Sequence, residues 1–319
     1  MKHVGVIGGS RYFGRHVVLR LRDAGARVTV VNRGSSAPPP GVDHVIADRD
    51  DERALGTALG NRTFDAVIDQ VCNTPRQAAA ARRVFHDRTP RYVMTSTIEV
   101  YDPASFDAIH PTPPGGGVPE DAIDTTHWPV RPELPWDEGE FRNRHYGEGK
   151  RQAEAEFARD PAFPFVAVRS GHVLGGGDAD FTGRLRHYVE RVRTGRPVDI
   201  HRVNHPSSFI GEHEIADFLI WAAGADFLGP VNARSHGELD ATDLCARIAE
   251  HGSRPPVYRT VEPGAEASPF AFDRYYGMDN SRAERLGFRF SDTADWLPRA
   301  ISEQITALKR LKRLKRLKH

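Results

Sequence analysis

The sequence predicts an α/β fold, a doubly wound parallel sheet with a smaller carboxy-terminal substrate-binding lobe. Three observations lead there. An apolar run of strand length, Val4-Gly-Val-Ile7, passes directly into Gly8-Gly9-Ser10-Arg11-Tyr12-Phe13-Gly14 and then into the helical apolar pattern Val17, Val18, Leu19, Leu21. Further apolar runs, many of them β-branched, recur between helical stretches at 26–32, 42–46, 65–69, 91–96 and 163–169, the alternation that builds a parallel sheet covered on both faces. Beyond 169 the elements shorten and no second nucleotide-type loop occurs.

The first strand, loop and helix set the chemistry. A strand feeding glycines and then a helix leaves backbone N–H groups at a helix N-terminus with no partner, which is a seat for phosphate. Gly8 permits the tight turn, Gly9 lets backbone approach a pyrophosphate, and Gly14 allows close packing of helix on strand; Arg11 stands where such loops usually have glycine. At the end of the second strand an acidic residue would bind ribose hydroxyls, whereas a basic one accommodates a 2′-phosphate. Asn32 and Arg33 stand there, so the cofactor expected is NAD(P), leaning toward NADP. Asp48, closing the third strand, is read either as a partner of the adenine amino group or as the cap of the next helix.

Composition narrows the field. The 319 residues carry a net charge of +1, and seven basic residues fall between 309 and 319, leaving the remainder at −6. A nucleic-acid groove in that body is not expected; the tail is the place for any polyanion. Two cysteines, Cys72 and Cys245, form no disulfide framework and no metal spacing. His201 and His205 lie four apart, but Pro206 follows and no third ligand adjoins them, so no metal site is expected. With no leader pattern and no apolar window of membrane-spanning length, the expected residence is cytoplasmic.

The fifth strand ends in Thr95-Ser96-Thr97-Ile98-Glu99-Val100-Tyr101. In doubly wound sheets ligands sit beyond the carboxyl ends of strands, and a hydroxyl beside a carboxylate there can hold an oxygen and move a proton. Tyr146-Gly147-Glu148-Gly149-Lys150 then opens a helix running through Ala158. Residues four apart share a helical face, and an ammonium near a phenol favours its ionised form, making tyrosine a usable acid and base. Lys150 and Lys2 are the only lysines before residue 309.

Together these residues resemble the short-chain dehydrogenase/reductase superfamily, in its extended or atypical branch of NAD(P)-dependent epimerases and dehydratases. The likeness covers residues 1 to 308: the loop Gly8 to Gly14, the segment Ser96-Thr97-Ile98-Glu99-Val100-Tyr101, and the Tyr146–Lys150 pair. It implies that Thr97 orients the reacting oxygen, that Tyr146 shuttles its proton, and that Lys150 tunes the tyrosine and binds the nicotinamide ribose. Glu99 matches the base of sugar 4,6-dehydratases, whose neighbouring aspartate is Ile98 here. Where relatives grip a nucleotide diphosphate with asparagine and arginine, this sequence has His172 and Ser207. An intact diphosphate is therefore not the expected substrate, and His172 is read as either a substrate-binding group or an internally satisfied loop histidine.

The expected organisation is a Rossmann domain at 1–168, with 102–144 as a flap over the substrate, a lobe at 169–308 with segments returning to the sheet, and a basic tail at 309–319. The tail repeats Leu-Lys-Arg and is read as a solvated helical extension, a subunit contact of a homodimer, or an anchor for anionic surfaces. The function expected is an NAD(P)-dependent epimerase or dehydratase acting on a sugar-like or nucleoside-like polyol through a transient ketone. The alternatives are an NADPH-dependent ketone reductase and a non-catalytic or RNA-associated relative.

Overall fold

The β-branched runs pair side by side in parallel. In a computed structural model describing residues 1–102, 117–177, 179–252, 254–262 and 265–316, chain order gives β1 (His3–Ile7), α1 (Tyr12–Asp23), β2 (Arg27–Asn32), β3 (Asp43–Ile46), α2 (Glu52–Leu59), β4 (Ala66–Asp69), α3 (Pro75–Phe85) and β5 (Tyr92–Thr97). There follow α4 (Gly139–Arg144), α5 (Tyr146–Ala158), β6 (Phe165–Ser170), β7 (His172–Leu174), α6 (Arg184–Thr194), β8 (Val198–Ile200), β9 (Phe209–Gly211), α7 (Glu212–Gly224) and β10 (Gly229–Ala233). The chain closes with α8 (Ala241–Ala249), β11 (Tyr258–Thr260), α9 (Ser281–Arg285) and α10 (Thr293–Arg316).

Seven strands form one sheet in the order β10-β6-β5-β4-β1-β2-β3, every neighbouring pair parallel. Such a sheet must be covered on both faces, and it is. Val17, Val18 and Leu21 of α1 and Ile215, Phe218 and Leu219 of α7 pack on one face. Leu55 and Leu59 of α2, Ala78, Ala81 and Phe85 of α3 and Ala153 and Phe157 of α5 pack on the other. A separate cluster from α6, α8 and α10, including Leu185, Tyr188, Leu244, Leu297 and Ile301, forms the core of the smaller lobe. The lobe is not contiguous in sequence: α7 and β10 belong to the sheet.

Two sequence expectations move. The helix read from Phe181 starts at Arg184, because Asp180 accepts hydrogen bonds from the backbone and hydroxyl of Thr182 and Gly183 is left-handed at φ 67°. Phe181 is thereby left outside the helix. The cap of α2 is Asp51, which accepts from Ala54 N at 2.8 Å, not Asp48. Of the expected flap, residues 103–116 lie outside the described residues; within its remainder Trp136 is buried and α4 forms.

Beneath the carboxyl end of the sheet runs a buried polar network. Arg169 of β6 and Glu154 of α5 pair at 2.6 Å with both side chains fully enclosed. Ser96 donates to Glu154, Arg169 donates to the Tyr101 hydroxyl and the Glu120 carbonyl, and Tyr101 donates to Asn232 of β10. Removing one member of an enclosed ion pair strands the other charge, at a cost of about 3–5 kcal/mol. Glu154→Ala should lose stability on that order in urea unfolding; a loss under about 1 kcal/mol would show that the pair does not lock α5 to β6.

Candidate active site

The glycine loop is built as a phosphate seat. Gly8 and Gly9 take φ values of 97° and 80°, a region that side chains disfavour. A Cβ on Gly9 would lie 2.7 Å from Val18 and 2.9 Å from Val6, so this glycine, rather than Gly14, lets helix meet strand. Gly14 instead accepts the side chain of Gln70, whose Oε1 would stand 2.0 Å from an added Cβ. Arg11 occupies the N-cap of α1 without a side-chain cap bond, which leaves the first-turn N–H groups for a ligand.

That N-terminus opens on a cavity of about 520 Å³. Gly8, Gly9, Ser10, Arg11, Tyr12 and Phe13 line it from the loop; Asn32, Arg33 and Asp48 line it from the ends of β2 and β3. Gly14 and Lys150 are not in its wall. Tyr12 contributes only an edge: it is buried and its hydroxyl donates to Val173 O. Asn32 ties the two loops together, donating to Ser10 Oγ at 2.8 Å and accepting from Gly34 N at 2.7 Å. The volume, the glycines and the unpaired amides fit a dinucleotide.

Sequence reasoning missed three parts of this wall. Phe181 stands in it with the Arg11 guanidinium 5.8 Å from its ring centroid. Arg142 and Asn143 reach it from α4, the described part of the expected flap. Arg49 forms its floor, buried and donating to Asp69 at 2.6 Å, where Tyr92 also donates. No local pattern marks Arg49; only the burial of Asp69 at the end of a central strand calls for a cation.

The residues expected to handle protons lie on β5, the turn that follows it and the start of α5. Thr97 closes the strand and its Oγ1 accepts from Glu99 N at 3.2 Å, so its own O–H remains free to donate. Glu99 lies in the 3₁₀ turn Ile98–Tyr101. The two glycines that weaken the start of α5 are there for close approach: a Cβ on Gly147 would stand 2.3 Å from Glu99 O, and one on Gly149 2.4 Å from Asn73 O. This contact brings the first turn of α5 against the turn that carries Glu99. Lys150, buried, donates to Thr95 O at 2.7 Å and holds its Nζ 5.6 Å from the Tyr146 ring centroid. Tyr146 is the exposed member.

Glu99 is held by groups from the far part of the chain. Tyr276 donates to its Oε2 at 2.9 Å, and His172 Nδ1 stands 3.9 Å from Oε1. About a third of the Glu99 side chain stays exposed; burial of the rest raises its pKa above the ordinary carboxylate value, opposed by the Tyr276 hydrogen bond. His172 is on β7 and buried among Phe209, Phe270, Phe272 and Tyr276. Burial and Arg184 push it down to about 3, so the imidazole is neutral and its approach to Glu99 is not an ion pair. It is enclosed, and its Nε2 has no hydrogen-bond partner among the described residues. Tyr276 had no signal in the sequence.

A one-methyl change tests the convergence. Gly147→Ala should lower turnover by about 100-fold, the cost of displacing a reacting group by roughly 1 Å, while dinucleotide binding measured by fluorescence titration persists. Unchanged turnover would separate Tyr146 from Glu99.

Comparisons with known proteins agree with this architecture. Residues 4–90 match the model of the NAD dependent epimerase/dehydratase family. No curated protein matches in sequence. Among solved structures, the fold is similar to that of the Bordetella bronchiseptica enzyme WbmH in complex with NAD+, at 16% identity and a TM-score of 0.69, covering 97% of this chain and 99% of that one. It is similar to UDP-N-acetylglucosamine 4-epimerase from Methanobrevibacter ruminantium in complex with UDP-N-acetylmuramic acid, at 19% identity and a TM-score of 0.68, over 97% and 99% of the two chains. It is similar as well to the Thermotoga maritima UDP-glucose 4-epimerase with UDP-glucose, at 17% identity and a TM-score of 0.68, again over 97% and 99%. Residues 4–90 are thus similar to the NAD dependent epimerase/dehydratase family, and over nearly its whole length the chain shares the fold of these three solved enzymes.

Proposed function

We propose that this protein is an NAD(P)-dependent epimerase or dehydratase that acts on a sugar-like polyol through a transient ketone. The observation that carries the reading is the close approach of the first turn of α5, through Gly147, to the Glu99 carbonyl, with Lys150 5.6 Å from the Tyr146 ring centroid. The solved structures of similar fold support it, three of them being a UDP-N-acetylglucosamine 4-epimerase, a UDP-glucose 4-epimerase and an enzyme solved with NAD+.

Gly8, Gly9 and Ser10 at the head of α1 would hold the pyrophosphate, and Asp48 and Arg33 the adenosine end. When bound, the nicotinamide accepts hydride from a carbinol and can return it. The chain's own residues manage the protons. Tyr146 takes the hydroxyl proton as the carbonyl forms, with the Lys150 ammonium one helical turn away. Thr97 donates to the same oxygen. A ketone acidifies the adjacent C–H, and Glu99, raised by burial and steered by Tyr276, is the base placed to remove that proton. A reductase would have no use for this steered carboxylate, which favours the epimerase or dehydratase reading.

The cofactor we favour is NADP. Arg33, Ser35 and Ser36 line the adenosine end of the cavity, and no carboxylate follows β2 where a ribose diol would need one. For the substrate we favour a polyol lacking an intact diphosphate: Ser207 is fully buried with its hydroxyl donated to Tyr276 O, and His172 is neutral and enclosed. Neither offers the charge that a diphosphate needs.

Four measurements test these assignments. Tyr146→Phe should reduce turnover by about 10²–10⁴-fold with cofactor affinity nearly unchanged; retained turnover would reject the acid/base role. Glu99→Gln should abolish solvent deuterium entry into product, while a reductase would show no such entry in the parent protein. Because the ionised carboxylate is the active form, the acid limb of turnover should fall above the ordinary carboxylate value, and Tyr276→Phe should shift it to still higher pH. A tightly bound oxidised dinucleotide after purification supports internal hydride return; freely exchanging NADPH supports net reduction.

A further inference from the structure

A second cluster of chemically competent side chains lies away from the dinucleotide cavity, where α1 meets the start of α7. His16 from α1 and Glu212 and His213 from α7 each present a ligand atom, all within 4.8 Å of one another. Glu212 is the telling member. Its side chain is 7% exposed, and its Oε2 is enclosed without a hydrogen-bond donor. An orphaned buried carboxylate oxygen costs several kcal/mol in ordinary circumstances, so its retention calls for a partner. The nearest candidate is His16 Nε2 at 3.5 Å, beyond hydrogen-bond reach.

That distance has a meaning for a cation. With bonds of about 2.1 Å, two ligands of a tetrahedral zinc ion stand roughly 3.4 Å apart, so His16 and Glu212 already define one edge. The His213 ring lies with its centroid 4.2 Å from that of His16 and closes a third corner with a small rotation. The space for Glu212 is prepared as well: a Cβ on Gly175 would come within 2.6 Å of its Oε2. The competing cations are already engaged. Arg20 pairs with Asp217 at 3.0 Å and donates to His213 O at 2.5 Å, its 3.4 Å approach to His213 Nδ1 lying at the limit of hydrogen bonding; Arg299 pairs with Glu303 at 3.4 Å.

Glu212 and His213 also line a separate cavity of about 340 Å³ between α7 and α10. Its other walls include Glu214, Asp217, Asp295 and Glu303 against Arg289 and Arg299, a balance that favours a cation. We propose that His16, Glu212 and His213 form a site for a divalent transition metal of the zinc class, with its fourth position open to this cavity. Two imidazoles and one carboxylate are a donor set suited to zinc, and an open fourth position admits water or an anionic group. The metal clamps α1, whose head is the phosphate-binding loop, to α7 on the same face of the sheet. His16 lies 196 residues before Glu212 in the sequence, so no spacing motif announces the set.

The test is calorimetric titration of the untagged, chelator-treated full chain with ZnCl₂, paired with Co²⁺ absorption in the visible region. The expected result is one saturating ion per chain, a Co²⁺ spectrum of nitrogen-and-oxygen ligation, and a rise in the thermal midpoint. His16→Gln and His213→Gln should each weaken binding by about 100-fold. Dinucleotide binding and far-ultraviolet circular dichroism report that each variant is folded. His16 is partly exposed, so its variant keeps the test open should the other fail to fold. Absence of saturable binding to the parent chain, or stoichiometric binding that survives the His16 substitution, overturns the proposal.

Discussion

The enclosed Arg169–Glu154 pair is the constraint on which the geometry of the cleft depends. It joins β6 to α5, and through Ser96 it reaches β5. The strand end carrying Thr97 and the helix carrying Tyr146 and Lys150 are therefore referenced to one rigid point. Two charges in a dry interior attract strongly only when every remaining lone pair and proton is also satisfied. Here Tyr101 and the Glu120 carbonyl complete the guanidinium's partners. The same links extend to β10 through Asn232, so an edge strand delivered late in the chain is keyed into the foundation of the site.

A second constraint is steric. α5 begins with two glycines, which lower its intrinsic helix propensity by about 1 kcal/mol each. The structure gives both a purpose. Gly147 meets the Glu99 carbonyl and Gly149 meets that of Asn73, so the helix descends closely on the ends of β4 and β5. Local stability is exchanged for reach. This is the common pattern in which a functional helix violates a propensity rule at the position where it approaches its partners.

Much of this was legible in the sequence because it is written in short-range patterns. Strand, glycine loop and helix are contiguous between Val4 and Leu21; the Tyr146–Lys150 spacing is one helical turn; and the Thr97–Glu99 pair sits at a strand end. The illegible parts are those whose partners lie far away in the chain. Tyr276 reaches Glu99 from 177 residues downstream, and Arg49 meets Asp69 across the single crossover through α2. Phe181 reads as the first residue of a helix until the left-handed Gly183 is seen to delay that helix. The helix-packing role read for Gly14 likewise falls to Gly9, while Gly14 makes room for Gln70, since a sequence shows that a glycine is present but not which neighbour presses on it.

The origin of the phenol that steers Glu99 has a consequence for how the protein is made. The first five strands of the sheet emerge early in synthesis, whereas α7, which covers one face, and the edge strand β10 follow much later. The Glu99 carboxylate gains its hydroxyl donor later still, with Tyr276. A chain ending between β10 and Tyr276 would keep all seven sheet strands and leave Glu99 without that hydrogen bond.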